Sequence, residues 1–158
     1  MHNNHILPLE IEKMNNTTTI VQNNTQDLEF LQNSSKMEFL LSCKTGNFNK
    51  VSNIINKKEI DIDTRAFNGD TGLMIAIYNE HWNIANFLID NSADVNCYNA
   101  FRNSPLLLAC KKVKSEDLSI IEKLIQNGAN KKWSNNFLET PRKIAIQRNM
   151  PKLLELLR

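Results

Sequence analysis

The sequence predicts an all-α fold in which about four helix–turn–helix repeats, joined by extended loops, stack into a solenoid. The main observation is a phrase that recurs along the chain: Asp70–Ala76 returns as Asn103–Ala109 and again as Glu139–Ala145. A second phrase, Ser92–Asn96, returns 36 residues later at positions 128–132. The alanines that end the first phrase lie 33 and then 36 residues apart. A period of this length is typical of repeat arrays, in which function depends on a surface more often than on a pocket.

Two helices are predicted in the clearest copy from the spacing of its apolar residues. The first runs from about Gly72 to Asn79 and the second from about Trp82 to Asn91, each with apolar side chains at i, i+3 and i+4. Hydroxyl residues at Thr71, Ser104 and Thr140 precede the first helices, where they cap free backbone amides, and proline follows two of them.

The rest of the chain is divided by composition and by the repeat register. Residues 1–35 are a polar tail rich in Asn and Thr that we expect to be disordered, because it has too little apolar surface to offset the entropy of ordering. Asp27–Leu31 within it predicts a short helix that covers the start of the array. The predicted repeats are residues 36–68 (a divergent N-terminal cap), 69–101, 102–137 (with a short insertion at 111–117, between its helices) and 138–158 (a partial C-terminal cap).

Charge is unevenly distributed along the chain. The net charge is +2, yet residues 111–158 have 11 Lys and Arg against 5 Asp and Glu, a local charge of +6. A solvated basic face is the plainest interpretation, and an acidic partner or nucleic acid is the alternative. No apolar stretch approaches 18 residues and no secretory signal is apparent, so we expect an intracellular protein, cytoplasmic or nuclear, without a membrane span.

Residue types that could support catalysis are present but poorly arranged for it. Cys43, Cys97 and Cys110 form no CxxC pair, which fits a reducing compartment, and one of them could in principle form a Cys–His pair with His81. Their repeat positions predict packing instead. Asp61 and Asp63 recur at the positions of loop residues, so an acid/base pair is not expected. No phosphate loop or zinc spacing occurs. We therefore expect that the protein is not an enzyme and that it binds neither a cofactor nor a metal.

On its repeated phrases the chain resembles the ankyrin repeat family. The residues responsible are Asn103–Ala109, Glu139–Pro141, Ser92–Asn96 and Gly128–Asn130, within a resemblance that covers about residues 36–158. Two departures stand out. The family's histidine in the Thr-Pro-Leu-His motif is replaced in all three copies, and the loop glycine present as Gly69 becomes Arg102 and Leu138. These losses predict a less rigid array.

The resemblance implies a protein partner that contacts the loop tips and the exposed ends of the first helices. Carried over by position, the predicted partner-binding residues are Phe67, Asn68, Asp70, Tyr78, Asn79, Phe101, Asn103, Lys111, Lys112, Phe137, Glu139 and Arg148. The four aromatic residues would form a ribbon of apolar anchors aligned across three repeats, and the basic residues would attract an acidic partner. The alternative is that each ring folds back on a neighbouring loop. Trp133 is expected to pack.

The predicted function is therefore non-catalytic protein–protein interaction by a monomer. The chain contains 24 asparagines among its 158 residues, which fits A/T-rich coding and suggests a host-directed protein of an intracellular pathogen or virus. Two alternatives stay open: a partnerless or decayed array fragment, and a weak nucleic-acid binder that uses the basic C-terminal third.

Overall fold

The fold is a row of helix–turn–helix pairs. The computed structural model describes residues 33–58, 60–114 and 117–158. The helices within these ranges are 33–45 (α1), Phe48–Asn56 (α2), Gly72–Tyr78 (α3), Trp82–Asp90 (α4), Pro105–Lys112 (α5), Ser119–Gln126 (α6), Pro141–Gln147 (α7) and Pro151–Leu156 (α8). The same ranges contain no strand, apart from an isolated bridge between Arg65 and Thr71. The all-α repeat solenoid is confirmed.

Three first helices begin as the sequence predicts, at a hydroxyl cap. The side-chain oxygens of Thr71, Ser104 and Thr140 accept hydrogen bonds from the backbone N–H three residues ahead, at 3.4, 3.2 and 3.1 Å. Each bond satisfies an amide that has no partner within the helix, and such a cap typically contributes about 1 kcal/mol.

The core is continuous along the row because each helix pair packs on the next. Helix α5 packs against α3 on one side and α7 on the other, and α4 packs against α2 and α6. The apolar stripes of the inner helices are fully buried, including Leu73 and Ile77 of α3 and Leu107 of α5. Helix α1 joins the row through Phe39, whose ring lies where a Cβ on Gly72 would come within 2.6 Å. Only glycine therefore fits at the start of α3.

The tight turns keep their left-handed backbone where the family's glycines are missing. Gly46, Gly69 and Gly128 have φ of 78°, 82° and 85°. Side-chain-bearing residues take the same conformation elsewhere, namely Lys58, Glu80, Ser92, Arg102, Leu138 and Asn149, with φ between 52° and 68°. A Cβ in this region is strained, by roughly 1 kcal/mol or more for most residue types. The turn geometry is thus retained at an energetic cost, and lower rigidity stays a prediction.

Two of the sequence predictions concern segments that the structure describes only in part. Most of the predicted tail and the short helix Asp27–Leu31 lie outside them. Helix α1 covers residues 33–45, so the predicted disorder of the tail is wrong for residues 33–35, which are the first turn of this helix and lie before the predicted repeat boundary at 36. Residues 113–118, of which 115–116 are not described, connect α5 to α6, which is where the sequence predicts the inserted residues. The four repeat boundaries themselves remain predictions.

Candidate interaction surface

The loops that precede the first helices lie side by side and in register. The N–H of Ala100 donates to the carbonyl of Asn68 at 3.0 Å, and the N–H of Asn136 donates to the carbonyl of Phe101 at 3.1 Å. Each loop is therefore joined to the next by the same backbone hydrogen bond. Asn68 and Phe101 occupy equivalent positions, and the loop tips form one continuous edge of the array.

Two buried asparagines hold these loops in shape. Asn135 Oδ1 accepts the N–H of Phe137 at 2.9 Å and of Glu139 at 3.0 Å, while its amide donates to Asn103 Oδ1 at 2.8 Å. Asn99 makes the equivalent hydrogen bonds to backbone N–H groups in the preceding loop. Sequence reasoning missed both residues. The available signal was an asparagine at the same offset before two successive caps, 36 residues apart.

Asp70, a predicted contact residue, is engaged within the loops. Its Oδ1 accepts the Asn99 amide at 2.7 Å and its Oδ2 accepts the Asn68 amide at 2.6 Å. Asn103, another predicted contact residue, accepts the amide of the next buried asparagine. The oxygens of both side chains thus stabilise the loop edge. Because they already accept hydrogen bonds within the loops, a partner that donates to them would have to share these acceptors.

Lys111 on α5 forms an ion pair with Glu139 in the loop that precedes α7. Lys111 Nζ lies 2.5 Å from Glu139 Oε2, and that oxygen also accepts the Asn135 amide at 2.6 Å. The hydrogen bond from Lys111, followed by the one from Asn135, lowers the pKa of the Glu139 carboxyl below its ordinary value. Both predicted contact residues are therefore held in place by each other.

The aromatic loop tips are less regular than predicted. The rings of Phe101 and Phe137 stack, with centroids 6.5 Å apart and planes at 23°, and the residues are 51% and 64% exposed. Phe67 is fully exposed, but it precedes Asn68, the residue equivalent to Phe101. The predicted ribbon of rings aligned in three repeats is wrong in this respect, because Phe67 is one position out of register and only two rings align.

A groove lies between α3 and α5, beside the stacked rings. Tyr78 forms one wall and is 57% exposed, and Lys112 Nζ lies 4.1 Å from the centroid of its ring. The groove has a volume of about 350 Å³ and is lined by Asn68, Asp70, Tyr78, Asn99, Phe101, Asn103 and Leu108. Five of the twelve predicted contact residues therefore line one groove, which combines apolar walls with a polar floor.

The last two predicted residues lie at helix ends. The amide of Asn79 donates to the carbonyl of Ile75 at 2.8 Å, so it closes the end of its own helix. Arg148 donates through Nη1 to the carbonyl of Cys110 at 2.7 Å, which fixes its guanidinium beside α5. Arg148 is exposed and retains other donors.

A second aromatic cluster, which the sequence did not reveal as a unit, lies behind the loop tips. Tyr98 and Trp133 stack with centroids 5.1 Å apart, and the Arg102 guanidinium lies 4.9 Å from the Trp133 ring centroid. Trp133 Nε1 also donates to the Arg102 carbonyl at 2.8 Å. The prediction that Trp133 packs is confirmed, and its ring braces two loops against each other.

The three thiols are free and buried, and burial suppresses their ionisation. Burial raises the pKa of Cys43 and Cys110 to about 12 and that of Cys97 to about 11. A thiol with such a pKa is almost wholly protonated at neutral pH and is a poor nucleophile. His81 Nε2 lies 3.0 Å from the Lys44 carbonyl, which makes it a brace between helix pairs. Within the described ranges, no three His, Cys, Asp or Glu side chains are grouped so that they could hold a metal ion.

Over residues 33–58, 60–114 and 117–158, none of the helices has the length and apolar character that crossing a bilayer requires.

Comparison with known families agrees with the geometry. A family model described as ankyrin repeats (3 copies) matches residues 13–99 and 34–136, which together cover most of the 158 residues. Comparison with curated proteins gives no match. Ankyrin repeats are generally protein–protein interaction modules, and proteins built from them are typically non-catalytic adaptors. From its repeat geometry and this match, the chain belongs to the ankyrin repeat family.

Proposed function

We propose that this chain is a non-catalytic binding module whose partner docks on the loop tips and first helices, with the groove between α3 and α5 at the centre. The single observation that supports this most is the set of half-exposed rings around the groove, formed by Tyr78, Phe101 and Phe137. Large apolar rings that remain open to water beside a groove are typical of binding hot spots.

The energy available from these rings is substantial. An aromatic side chain buries roughly 200 Å² when fully covered, so each half-exposed ring retains about 100 Å² of accessible surface. At about 25 cal/mol per Å², covering one ring is worth about 2.5 kcal/mol before the costs of association. Three rings then supply about 7.5 kcal/mol in total, some of which offsets lost translational and rotational freedom. The loops are already hydrogen-bonded in register, which lowers the cost of ordering them.

Basic side chains next to the groove favour an acidic partner. Lys112 lies over the Tyr78 ring, and Arg148 lies one helix further along. Both residues are cationic, and the charge of residues 111–158 is +6. Opposite charge raises the rate of encounter more than it raises affinity, so salt should slow association with only a small effect on dissociation.

The stacking of Phe101 on Phe137 also supports the alternative that these rings pack locally. Their exposure favours partner binding over local packing, because a local staple should remove its rings from water, whereas Phe101 and Phe137 both remain more than half exposed. For the same reason we rank a partnerless array second. Nucleic-acid binding ranks third, since Lys111, one of the basic residues of the predicted surface, is already paired with Glu139.

The test is capture of a partner from lysate followed by mass spectrometry. Because the asparagine-rich composition suggests a host-directed protein, lysates of candidate host cells come first. The bait is wild type beside a Phe101→Asp, Phe137→Asp double variant that is shown by circular dichroism to be as helical as wild type.

The matched control is Ile146→Asp, which places the same charge on an exposed apolar residue of α7 outside the predicted set. A protein captured by wild type and by the control, but not by the double variant, supports the proposal. Equal capture by wild type, the double variant and the control would indicate that the partner contacts a different surface. Capture of nucleic acid that disappears steeply with salt would favour the basic C-terminal third instead.

A further inference from the structure

We propose that the groove between α3 and α5 receives an arginine side chain of the partner protein. This rests on the proposed function, because it names one residue of a partner that docks on the same surface. Three observations support it: the charge of the groove, the contact made by the equivalent carboxylate in the last repeat, and the combination of acceptor oxygens with aromatic walls.

The groove is acidic, although basic residues lie near it. Asp70 is the one charged residue among those that line it, whereas Lys112 lines a neighbouring hollow and not this groove. Within the described ranges the Asp70 carboxylate forms no ion pair. Its side-chain hydrogen bonds come from the neutral amides of Asn68 and Asn99. A carboxylate without an ion-pair partner favours a positively charged ligand at this point of the surface.

The last repeat shows that a carboxylate at this position can bind a cation. Asp70 and Glu139 directly precede the caps of α3 and α7, so they are equivalent. Glu139 Oε2 accepts the Lys111 ammonium at 2.5 Å and also accepts the Asn135 amide at 2.6 Å. Asp70 has the amide contacts without the cation. Lys44 of α1, at the helix position corresponding to that of Lys111, is exposed and forms no ion pair in the described part of the chain. The same chemistry is therefore available to a cation that enters the groove.

The floor of the groove offers further acceptor oxygens. Asn103 Oδ1 accepts one amide, that of Asn135, at 2.8 Å. Asn68 Oδ1 accepts one backbone N–H, that of Asp70, at 3.2 Å. An amide oxygen has two lone pairs and an ionised carboxylate has more, so all three side chains retain acceptor capacity. A guanidinium presents five N–H donors in one plane and can reach several such oxygens at once, whereas an ammonium is a point charge. The acceptors thus favour arginine over lysine.

The walls of the groove suit the flat face and the aliphatic stem of the same side chain. Tyr78 and Phe101 line the groove and are 57% and 51% exposed. A guanidinium stacks favourably on an aromatic face, and the attraction grows as water is excluded. The Tyr78 ring already makes a contact of this kind with the Lys112 ammonium, 4.1 Å from its centroid. Leu108, also in the lining, offers apolar surface to the methylene groups of the stem.

One partner segment can satisfy both charges of the surface. Negative charge lies in the groove at Asp70, and positive charge lies further along the array at Lys112 of α5 and at Arg148 after α7. A segment with an arginine at one end and acidic residues at the other matches this pattern in a single direction, because reversal would oppose like charges. The groove therefore sets the direction in which the partner lies across the repeats.

Titration of the isotope-enriched, full-length chain, followed by nuclear magnetic resonance, tests the proposal before any partner is known. The probes are N-acetyl-arginine amide and its neutral isostere N-acetyl-citrulline amide, at matched ionic strength. We expect saturable shifts at Asp70, Tyr78 and Phe101, with the arginine probe bound at least about fivefold more tightly than the citrulline probe. Absence of saturable shifts up to about 50 mM arginine probe, or equal affinity of the two probes, would overturn the proposal.

Two variants test whether the groove carboxylate is responsible. Asp70→Asn should weaken the arginine probe at least about fivefold and change the affinity for citrulline less than about twofold. The matched control is Glu122→Gln, which removes the same charge from an exposed position of α6 and should change neither affinity. Equal weakening by both variants would attribute binding to net charge and contradict the proposal. Shifts confined to Asp61, Asp63 and Asp94, acidic residues elsewhere in the loops, would also overturn it.

The comparison of the two probes on wild type needs no variant, so the proposal stays testable even where Asp70→Asn disturbs its loop. Failure of this inference is distinguishable from failure of the proposed function. A captured partner that is lost on changing Phe101 and Phe137, yet binds Asp70→Asn as tightly as wild type, would support the groove face and exclude an arginine contact at Asp70. A partner whose affinity falls at least about fivefold with Asp70→Asn, but not with Glu122→Gln, supports both.

Discussion

Replacing Leu138 with glycine is expected to stabilise the array. Leu138 holds φ at 58° in the last loop, where its equivalent two repeats earlier is Gly69, with φ of 82°. Its side chain is 73% exposed, so little buried surface is lost with it. The turn itself depends on backbone atoms, because the N–H of Leu138 donates to the Asn135 carbonyl at 3.1 Å. A glycine there keeps every one of these hydrogen bonds.

The magnitude follows from two opposing terms. A left-handed residue with a Cβ costs roughly 1–2 kcal/mol, and glycine costs roughly 0.5–1 kcal/mol through its larger entropy in the unfolded chain. The net gain is about 0.5–1 kcal/mol. For a chain of this size, 1 kcal/mol corresponds to a rise in Tm of about 2–4 °C.

Urea denaturation followed by circular dichroism at 222 nm measures the effect, provided that the m-value is unchanged. Two controls isolate the backbone term. Leu138→Ala removes the side chain but retains the strain, so it should change stability little. Ala100→Gly introduces glycine at an exposed loop position that lacks positive φ and should destabilise by about 0.5–1 kcal/mol. A Leu138→Gly variant no more stable than Leu138→Ala would refute the reasoning.

Three further predictions concern the thiols, the ion pair and the buried amides. The three cysteines should react with a thiol reagent at pH 8 only as fast as the array opens, so labelling should accelerate sharply in moderate urea; fast labelling of native protein would contradict their burial. The pKa of Glu139 is depressed in the folded state, so the stability it contributes is complete above about pH 4.5 and is lost as the pH falls through the folded pKa. Glu139→Gln should therefore lower the unfolding free energy at pH 7, and this loss should shrink as the pH falls below about 4.5; a loss that does not change with pH would exclude the ion pair as its source. Asn135→Ala should cost about 2–3 kcal/mol by leaving loop amides unpaired, whereas Asn136→Ala, at the exposed neighbouring position, should cost less than 1 kcal/mol in the same urea assay.

The helices and their order could be predicted because the signals are local. A hydroxyl cap followed by proline and a stripe of apolar residues specifies a helix start almost independently of its neighbours, and all three predicted caps make their hydrogen bonds. The left-handed turns were harder to predict from the sequence. Arg102 and Leu138 adopt the left-handed backbone although neither residue type favours it, because the flanking helices and the adjacent loop fix the geometry around them.

The candidate surface could be predicted only partially, because it depends on register between loops. The repeated phrase places the loop tips near each other, but a shift of one residue decides whether rings stack. Phe101 and Phe137 occupy equivalent loop positions, and their rings stack. Phe67 lies one residue before the equivalent position in its own loop, so its ring does not align with theirs. Whether a polar side chain is free to contact a partner also depends on the tertiary structure and cannot be predicted from the repeat pattern. The oxygens of Asp70 and Glu139 are taken up by buried asparagines whose role only the folded loops reveal.

The central claim is that the groove between α3 and α5 binds a partner, and its most direct test is the affinity of a captured partner for wild type and for a Tyr78→Ser, Phe101→Ser variant. Biolayer interferometry at physiological salt gives both Kd values, with Ile146→Ser as the matched control. Hot-spot residues typically cost 2 kcal/mol or more when truncated, so we expect a loss of at least about 30-fold for the groove variant and less than about threefold for the control. Equal affinity of the groove variant and wild type would contradict the account.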